Sequence, residues 1–199
     1  MPLEYSLVEH RLDNQIIAGT DEAGRGPLAG DVVAAAVILD PDQPIDGLND
    51  SKKLSERKRE ALFEQIIQTS KAFSIARASV KEIDQLNILQ ASLLAMKRAV
   101  KQLRMQPDFV YVDGNQCPHW SYQSATVVKG DSRLQCVAAA SILAKVSRDR
   151  DMVKMAQNFP GYGFAKHKGY PTREHLLALG RLGPCQHHRK SFKPVADLL

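Results

Sequence analysis

The segment Ile16 to Gly30, IIAGTDEAGRGPLAG, constrains this chain more than any other. Its apolar start, Ile16-Ile17-Ala18, reads as a buried strand that runs into two adjacent carboxylates, Asp21 and Glu22, and then a glycine-rich turn. Successive side chains on a strand point to opposite faces, so the two acids converge only if the strand ends there. Gly24 and Gly26 supply the break, and Arg25 between them sets a cation beside two anions. Two carboxylates at one strand end repel each other unless a proton or a cation lies between them, and a hard divalent ion is the usual solution. An acidic turn that merely closes a strand satisfies the same pattern. A nucleotide loop fits worse: the third glycine, Gly30, comes one residue late for a dinucleotide fingerprint, Val32 to Leu39 reads as strand, and no Lys-Ser/Thr pair follows. No nucleotide cofactor is expected.

Val32 to Leu39 lies close enough to the first strand to pair with it as an antiparallel hairpin, and Pro41 and Pro44 end it. Ser55 is a helix N-cap for a helix to about Gln68, with Leu62, Phe63, Ile66 and Ile67 at helical spacing. Ala72 to Ala78 is a third strand. Ser79 and Glu82 form a capping-box pattern that opens one long helix through Leu86, Leu89, Leu93, Met96 and Val100, whose apolar stripe is core packing. Asp108 to Val112 is a strand ending on Asp113-Gly114-Asn115, and Thr126 to Lys129 one ending on Gly130-Asp131-Ser132. A helix of small residues, Val137 to Ala144, follows and can lie close against a sheet.

Three strands thus end in acids beside glycines, and in open α/β sheets strand ends are where ligands bind. Asp21, Glu22, Asp113 and Asp131 together would make an all-oxygen cluster, which suits Mg²⁺ or Mn²⁺ and not zinc or copper. Three separate acidic turns are the plainer alternative. The one competing metal pattern, Cys117-Pro118-His119 with Cys185-Gln186-His187, has a spacing shorter than usual zinc pairs.

Charge divides along the chain. Residues 145–199 carry 11 Lys/Arg against 4 Asp/Glu, whereas residues 1–144 carry 16 against 18. An acidic site with a cationic section able to fold over it suits a polyanionic substrate. At 199 residues the chain is expected to form a single domain, with a basic helical section from about 145 to 199. The opening MPLEYSLVEH reads as no secretory signal and no stretch as a membrane span. Three cysteines with no C-x-x-C pair point to a reducing cytoplasm without structural disulfides.

The segments DEAGRGPLAG (21–30), NDSKKLS (49–55), YVDGN (111–115), KGDS (129–132), AAASILAKVSRD (138–149), KHKGYPT (166–172) and HHRKSFKPV (187–195) resemble, in order and over nearly the whole chain, ribonuclease HII, the bacterial type 2 ribonuclease H. The resemblance implies an α/β, ribonuclease H-like fold: a mixed five-stranded sheet flanked by helices, with a helical C-terminal section. It implies endonucleolytic cleavage of RNA in RNA/DNA hybrids, incision 5′ of single ribonucleotides embedded in DNA, and two Mg²⁺ or Mn²⁺ ions. The family's four metal-holding carboxylates fall on Asp21, Glu22, Asp113 and Asp131. Its Gly-Arg-Gly segment, which senses the 2′-hydroxyl through its backbone, falls on Gly24, Arg25 and Gly26, and its sugar-packing tyrosine on Tyr170.

Lys52, Lys53, Lys166 and Lys168 are candidates to neutralise phosphates, each contact adding about 0.9 to the salt slope on a B-form duplex; a solvated basic face is the alternative. His167 and His175 are expected at the surface or beside the substrate, Arg189 and Lys190 in a segment able to close over the site or to pack, and Trp120 as a half-buried anchor. A monomer suffices, and the ending at Leu199 offers no docking peptide for a replication clamp. The alternatives from other classes are a DNA nuclease of related fold and a non-catalytic nucleic-acid-binding module.

Overall fold

The computed structural model describes residues 15–199; the opening MPLEYSLVEH, read above for a signal, lies outside the described residues. Ile17–Ala23 (β1) and Val32–Ile38 (β2) form the expected antiparallel hairpin, and Ala72–Ala78 (β3) adds antiparallel to β2. Phe109–Asp113 (β4) pairs parallel with β1, and Gln123–Val127 (β5) parallel with β4, giving a mixed five-stranded sheet in the order β3-β2-β1-β4-β5. Every residue of β2 is buried, because helices cover both faces of the sheet. On one face Val80–Leu86 (α2) and Ile88–Lys101 (α3) pack Ile83, Ala95, Met96 and Val100 against Ala34, Ala36, Val110 and Val112. On the other, Glu56–Thr69 (α1) and Gln135–Asn158 (α4) meet Ala35 and Val37 through Phe63, Ile66, Ala139 and Ile142. Phe164–His167 (α5), Arg173–Leu182 (α6) and Lys193–Ala196 (α7) complete the C-terminal section.

Local signals placed several ends correctly. The Ser55 hydroxyl accepts from Lys58 N at 3.3 Å, and the Ser79–Glu82 capping box is present in both directions. Three expectations need correction. The helix after Ser79 is two helices, broken at Asn87, which has φ +74° and ψ 163° and caps α3 by accepting from Gln90 N at 3.1 Å. The apolar stripe runs through the break, so periodicity alone did not reveal it; a conformation this rare outside glycine is imposed by packing on either side. The fourth and fifth strands are shifted: β5 ends at Val127, and Asp131 lies in a 3-10 turn, Gly130–Ser132, entered through the left-handed Lys129 at φ +56°. The small-residue helix is 24 residues long and runs far into the basic section.

Small residues let α4 approach the sheet closely, and Gly19 is the tightest point. A Cβ there would stand 2.4 Å from both the Cys136 carbonyl carbon and Val137 N, the first turn of α4. Gly180 in α6 is the opposite case, with nothing within 4 Å of such an atom. Gly19→Ala is therefore expected to cost about 3 kcal/mol or more, by forcing backbone from backbone, and Gly180→Ala to add about 0.5–1 kcal/mol through helix propensity. Denaturant unfolding of the two variants beside the parent checks both signs.

Candidate active site

The parallel register of β1 and β4 pairs Ala18 with Val110 and Thr20 with Val112, so Asp21 and Asp113 are the next residue on each strand. Asp21 and Glu22 lie inside β1, opposite Ala35 and Ala34 of β2, and not past its end. The convergence expected of a broken strand comes instead from β4 stopping at Asp113 while β1 continues. Gly130 N donates to Asp113 Oδ1 at 2.7 Å, and this bond draws in the turn that carries the buried Asp131. The loop from Asn49 to Leu54 closes the ring: Asp50 Oδ1 caps its 3-10 turn by accepting from Lys52 N at 2.9 Å, Arg59 donates to Ser51 O at 3.0 Å, and Ser51 Oγ lies 2.8 Å from Ser141 Oγ on α4.

These groups act as one electrostatic unit. Burial, and then the charges of Glu22 and Asp113, push the Asp21 carboxyl well above the ordinary carboxylate range. Burial raises Glu22 also, against the pull of Arg25, whose Nη1 lies 3.4 Å from Glu22 Oε1. Asp131 is raised by burial and then by Asp50 and Asp113. Burial opposes the Lys52 ammonium, but the attraction of Asp50, Asp21, Asp131 and Asp113 together outweighs it and holds its pKa above the usual value. Asp50 was not singled out in the sequence; its place in NDSKKLS, two residues before Lys52, was the available signal.

The donors fit a hard divalent cation. All are oxygens, they repel one another, and Asp21 and Asp113 each hold one oxygen in a backbone hydrogen bond, Asp21 Oδ1 accepting from Glu22 N at 2.6 Å, which leaves the second oxygen free. Among the described residues no three Asp, Glu, His or Cys groups are gathered tightly enough to form a ready-made cation cage. Cys117, Cys136 and Cys185 form no disulfide among the described residues, and Cys185 Sγ lies 3.2 Å from His188 Nδ1; the Cys-His metal pattern is not assembled among the described residues.

The glycine turn is held from behind by two buried arginines. Arg189 donates to Gly24 O at 2.6 Å, Arg25 O at 2.9 Å and Gly30 O at 2.8 Å. Arg148 donates to Ala29 O and Lys168 O, each at 3.0 Å. Gly24, at φ +101°, has no room for a Cβ, which would fall 2.0 Å from Arg148 Nε. With the Gly24 and Arg25 carbonyls turned inward, the Arg25 and Gly26 amides face the other way; neither N–H has a protein partner among the described residues. Tyr170 stands beside them, half exposed, its Cε1 3.3 Å from where a Gly26 Cβ would lie. Leu28 N donates to Gly169 O at 2.8 Å and ties the two segments together.

Other expectations are corrected here. His167 and His175 are buried, not at the surface, and so is His188. Of the readings open for Arg189 the packing one holds and the lid does not: it is fully buried under the glycine turn. Lys166 is ion-paired with Glu174 at 2.7 Å, and the Lys168 ammonium donates to Ala165 O, while Lys53 stands exposed beside Lys52. Trp120 is the half-buried anchor expected, its Nε1 donating to Ser124 Oγ at 3.0 Å.

A mixed sheet in this order, covered on both faces and carrying acids at the ends of β1 and β4, defines a ribonuclease H-like protein. Residues 18–195 match the family ribonuclease HII, and the chain belongs to that family. It is 61% identical over 181 residues to the ribonuclease HII of Pseudoalteromonas atlantica, covering 91% of this chain and 92% of that one. It is similar in structure to ribonuclease H2 from Pyrococcus horikoshii, with 28% identity, a TM-score of 0.75, and 92% and 96% of the two chains covered. RNase HIII solved in complex with Mn²⁺ shares the fold at 17% identity and a TM-score of 0.75, over 95% of this chain and 70% of that one. The chain is thus a hydrolase acting on the RNA of RNA/DNA hybrids. No described helix is long and apolar enough to cross a membrane.

The raised carboxyls carry a linkage consequence. A carboxyl with a raised pKa in the folded state holds a proton where the unfolded chain has lost it, so its contribution to stability declines as pH rises above the ordinary carboxylate range. Asp21→Asn is expected to melt a few degrees above the parent in chelator at neutral pH, the gap closing toward pH of about 4. Calorimetry at the two pH values checks the sign.

Proposed function

We propose that this protein is a metal-dependent endonuclease that cleaves the RNA strand of RNA/DNA hybrids and incises on the 5′ side of single ribonucleotides in duplex DNA, leaving 5′-phosphate and 3′-hydroxyl ends. The observation that carries the reading is the meeting of four mutually repelling carboxylates from three chain segments beside a glycine turn with outward-facing amides. Asp21, Glu22, Asp113 and Asp131 would hold two ions, Mg²⁺ or Mn²⁺. Such ions, when bound, make a water nucleophilic near neutral pH and offset charge on the leaving oxygen.

The remaining roles belong to the chain. The Arg25 and Gly26 amides approach a sugar closely because Gly26 has no side chain, and so reach a 2′-hydroxyl that only RNA supplies. Tyr170 lays its ring on the neighbouring sugar, where deoxyribose fits more closely than ribose. Together they read a junction of RNA with DNA and no base sequence. Lys52 neutralises the acids in the absence of substrate and can turn to a phosphate, with Lys53 and Lys168 further along the backbone path. A monomer contains every group this scheme needs, and three cysteines without a disulfide among the described residues suit the cytoplasm.

The test is cleavage of an end-labelled DNA duplex with one ribonucleotide, beside an all-DNA duplex and an RNA/DNA hybrid, in Mg²⁺, Mn²⁺ or chelator. Metal-dependent incision 5′ of the ribonucleotide, lost in Asp113→Asn by about 10³-fold or more, is expected. Cutting of the all-DNA duplex would move the assignment to a DNA nuclease of related fold, and binding without cleavage in every metal would leave a non-catalytic module. Tyr170→Ala should reduce incision at the lone ribonucleotide by about 10–100-fold while lowering the melting temperature by less than about 2 °C; equal loss of both would sink the role given to Tyr170.

A further inference from the structure

Behind Tyr170 lies a chain of hydrogen bonds that the cleavage scheme does not use. Cys185 N donates to His188 Nδ1 at 3.0 Å, His188 Nε2 lies 3.1 Å from His175 Nε2, and His175 Nδ1 lies 2.9 Å from Tyr170 O. The first contact fixes the tautomers of the rest. Because the Cys185 amide can only donate, His188 Nδ1 accepts, and its proton sits on Nε2. That proton is given to His175 Nε2, so His175 carries its own proton on Nδ1 and donates it to the Tyr170 carbonyl.

A third imidazole supports the arrangement. His167 stacks on His175 with ring centroids 4.4 Å apart, accepting from Gly169 N on Nδ1 and donating from Nε2 to Tyr162 O at 2.7 Å. Phe164 sets its edge to His175 at 5.5 Å and closes the cluster against water. His175 and His188 are fully buried, and every ring nitrogen has a partner. A second proton on His175 would set N–H against N–H across the 3.1 Å contact with His188, and one on His188 would do so against the Cys185 amide at 3.0 Å, so the geometry requires both rings neutral. Burial acts in the same direction, lowering His175 and holding His188 down to about 4.

The relay joins the two arms of the site. His188 pairs with Ala29 in an isolated bridge and precedes Arg189, which anchors the glycine turn, while His175, in the first turn of α6, holds the carbonyl of the residue that packs on that turn. We propose that His175 and His188 are positioning residues for Tyr170, fixing its backbone so that its ring meets Gly26 at the junction of ribose and deoxyribose. This inference rests on the junction-reading role given to Tyr170 above.

The experiment measures, for parent, Tyr170→Ala, His175→Leu and His175→Gln, the ratio of incision at a lone ribonucleotide to cleavage within a continuous RNA strand on DNA. Chemistry common to both substrates cancels in the ratio, and the melting temperature of each variant is recorded. His175→Leu should lower the ratio about tenfold, chiefly through KM, by leaving a buried carbonyl without its donor. His175→Gln, whose amide can both accept from His188 and donate to Tyr170 O, should stay within about threefold of the parent. Should His175→Leu prove unfolded, His188→Leu removes the proton supplied to His175 and carries the same expectation. A ratio lowered by Tyr170→Ala but untouched by His175→Leu would overturn the relay alone. An unchanged ratio in Tyr170→Ala would remove the Tyr170 role and the inference with it, and an equal fall in the Leu and Gln variants would assign His175 to packing.

Discussion

The parallel pairing of β1 with β4 puts Asp21 and Asp113 one residue beyond the last paired rung, at the same level of the sheet. Like charges do not gather there by preference. Their repulsion is borne by packing: β2 is buried on both faces, and α4 lies so close to β1 that Gly19 has no space for a methyl group. Buried apolar contacts stabilise at roughly 25 cal/mol per Å², and a sheet covered on both faces supplies enough of them to hold a few unfavourable carboxyls. The protein thus spends stability on holding the carboxyls of this site together.

Arg148 and Arg189 impose a second constraint. Each is almost wholly removed from water, and burial followed by the nearby Arg148 charge lowers the Arg189 pKa to about 9. Neither is matched with a carboxylate among the described ion pairs; their protons go to backbone carbonyls of residues 24, 25, 29, 30, 31 and 168. A peptide whose oxygen is held inward points its N–H outward, so the same bonds that satisfy the guanidinium groups set the direction of the amides facing substrate. The imidazole relay beneath Tyr170 continues this layer, and the substrate-facing surface is thereby supported by side chains that do not themselves reach it.

Much of the architecture was legible in the sequence because its causes are local. The alternation in Ala72–Ala78, the serine caps at Ser55 and Ser79, and the hairpin between Ile17 and Ile38 each depend on a few neighbouring residues. The acids were visible as candidates because each follows an apolar run closely and sits beside a glycine, although separate acidic turns fit the same pattern. The break at Asn87 escaped, since the apolar stripe passes through it unchanged and only packing on both sides forces that backbone. The helix beginning at Gln135 outran its reading because its later turns leave the small-residue run for charged and exposed residues, with only Met152, Met155 and Ala156 packed inward.

The sequence by itself determined the candidates: four acids at or near the ends of apolar runs and a basic C-terminal section follow from residue type and short-range order, while the parts given to the glycine turn and Tyr170 come from the family resemblance. Only the tertiary structure decided that these acids share one field with Asp50 and Lys52, that Arg189 lies beneath the glycine turn, and that His167, His175 and His188 are buried. Residues far apart in the chain become neighbours through sheet order and helix packing, and charge, burial and tautomer are properties of that neighbourhood, not of a residue's place in the chain.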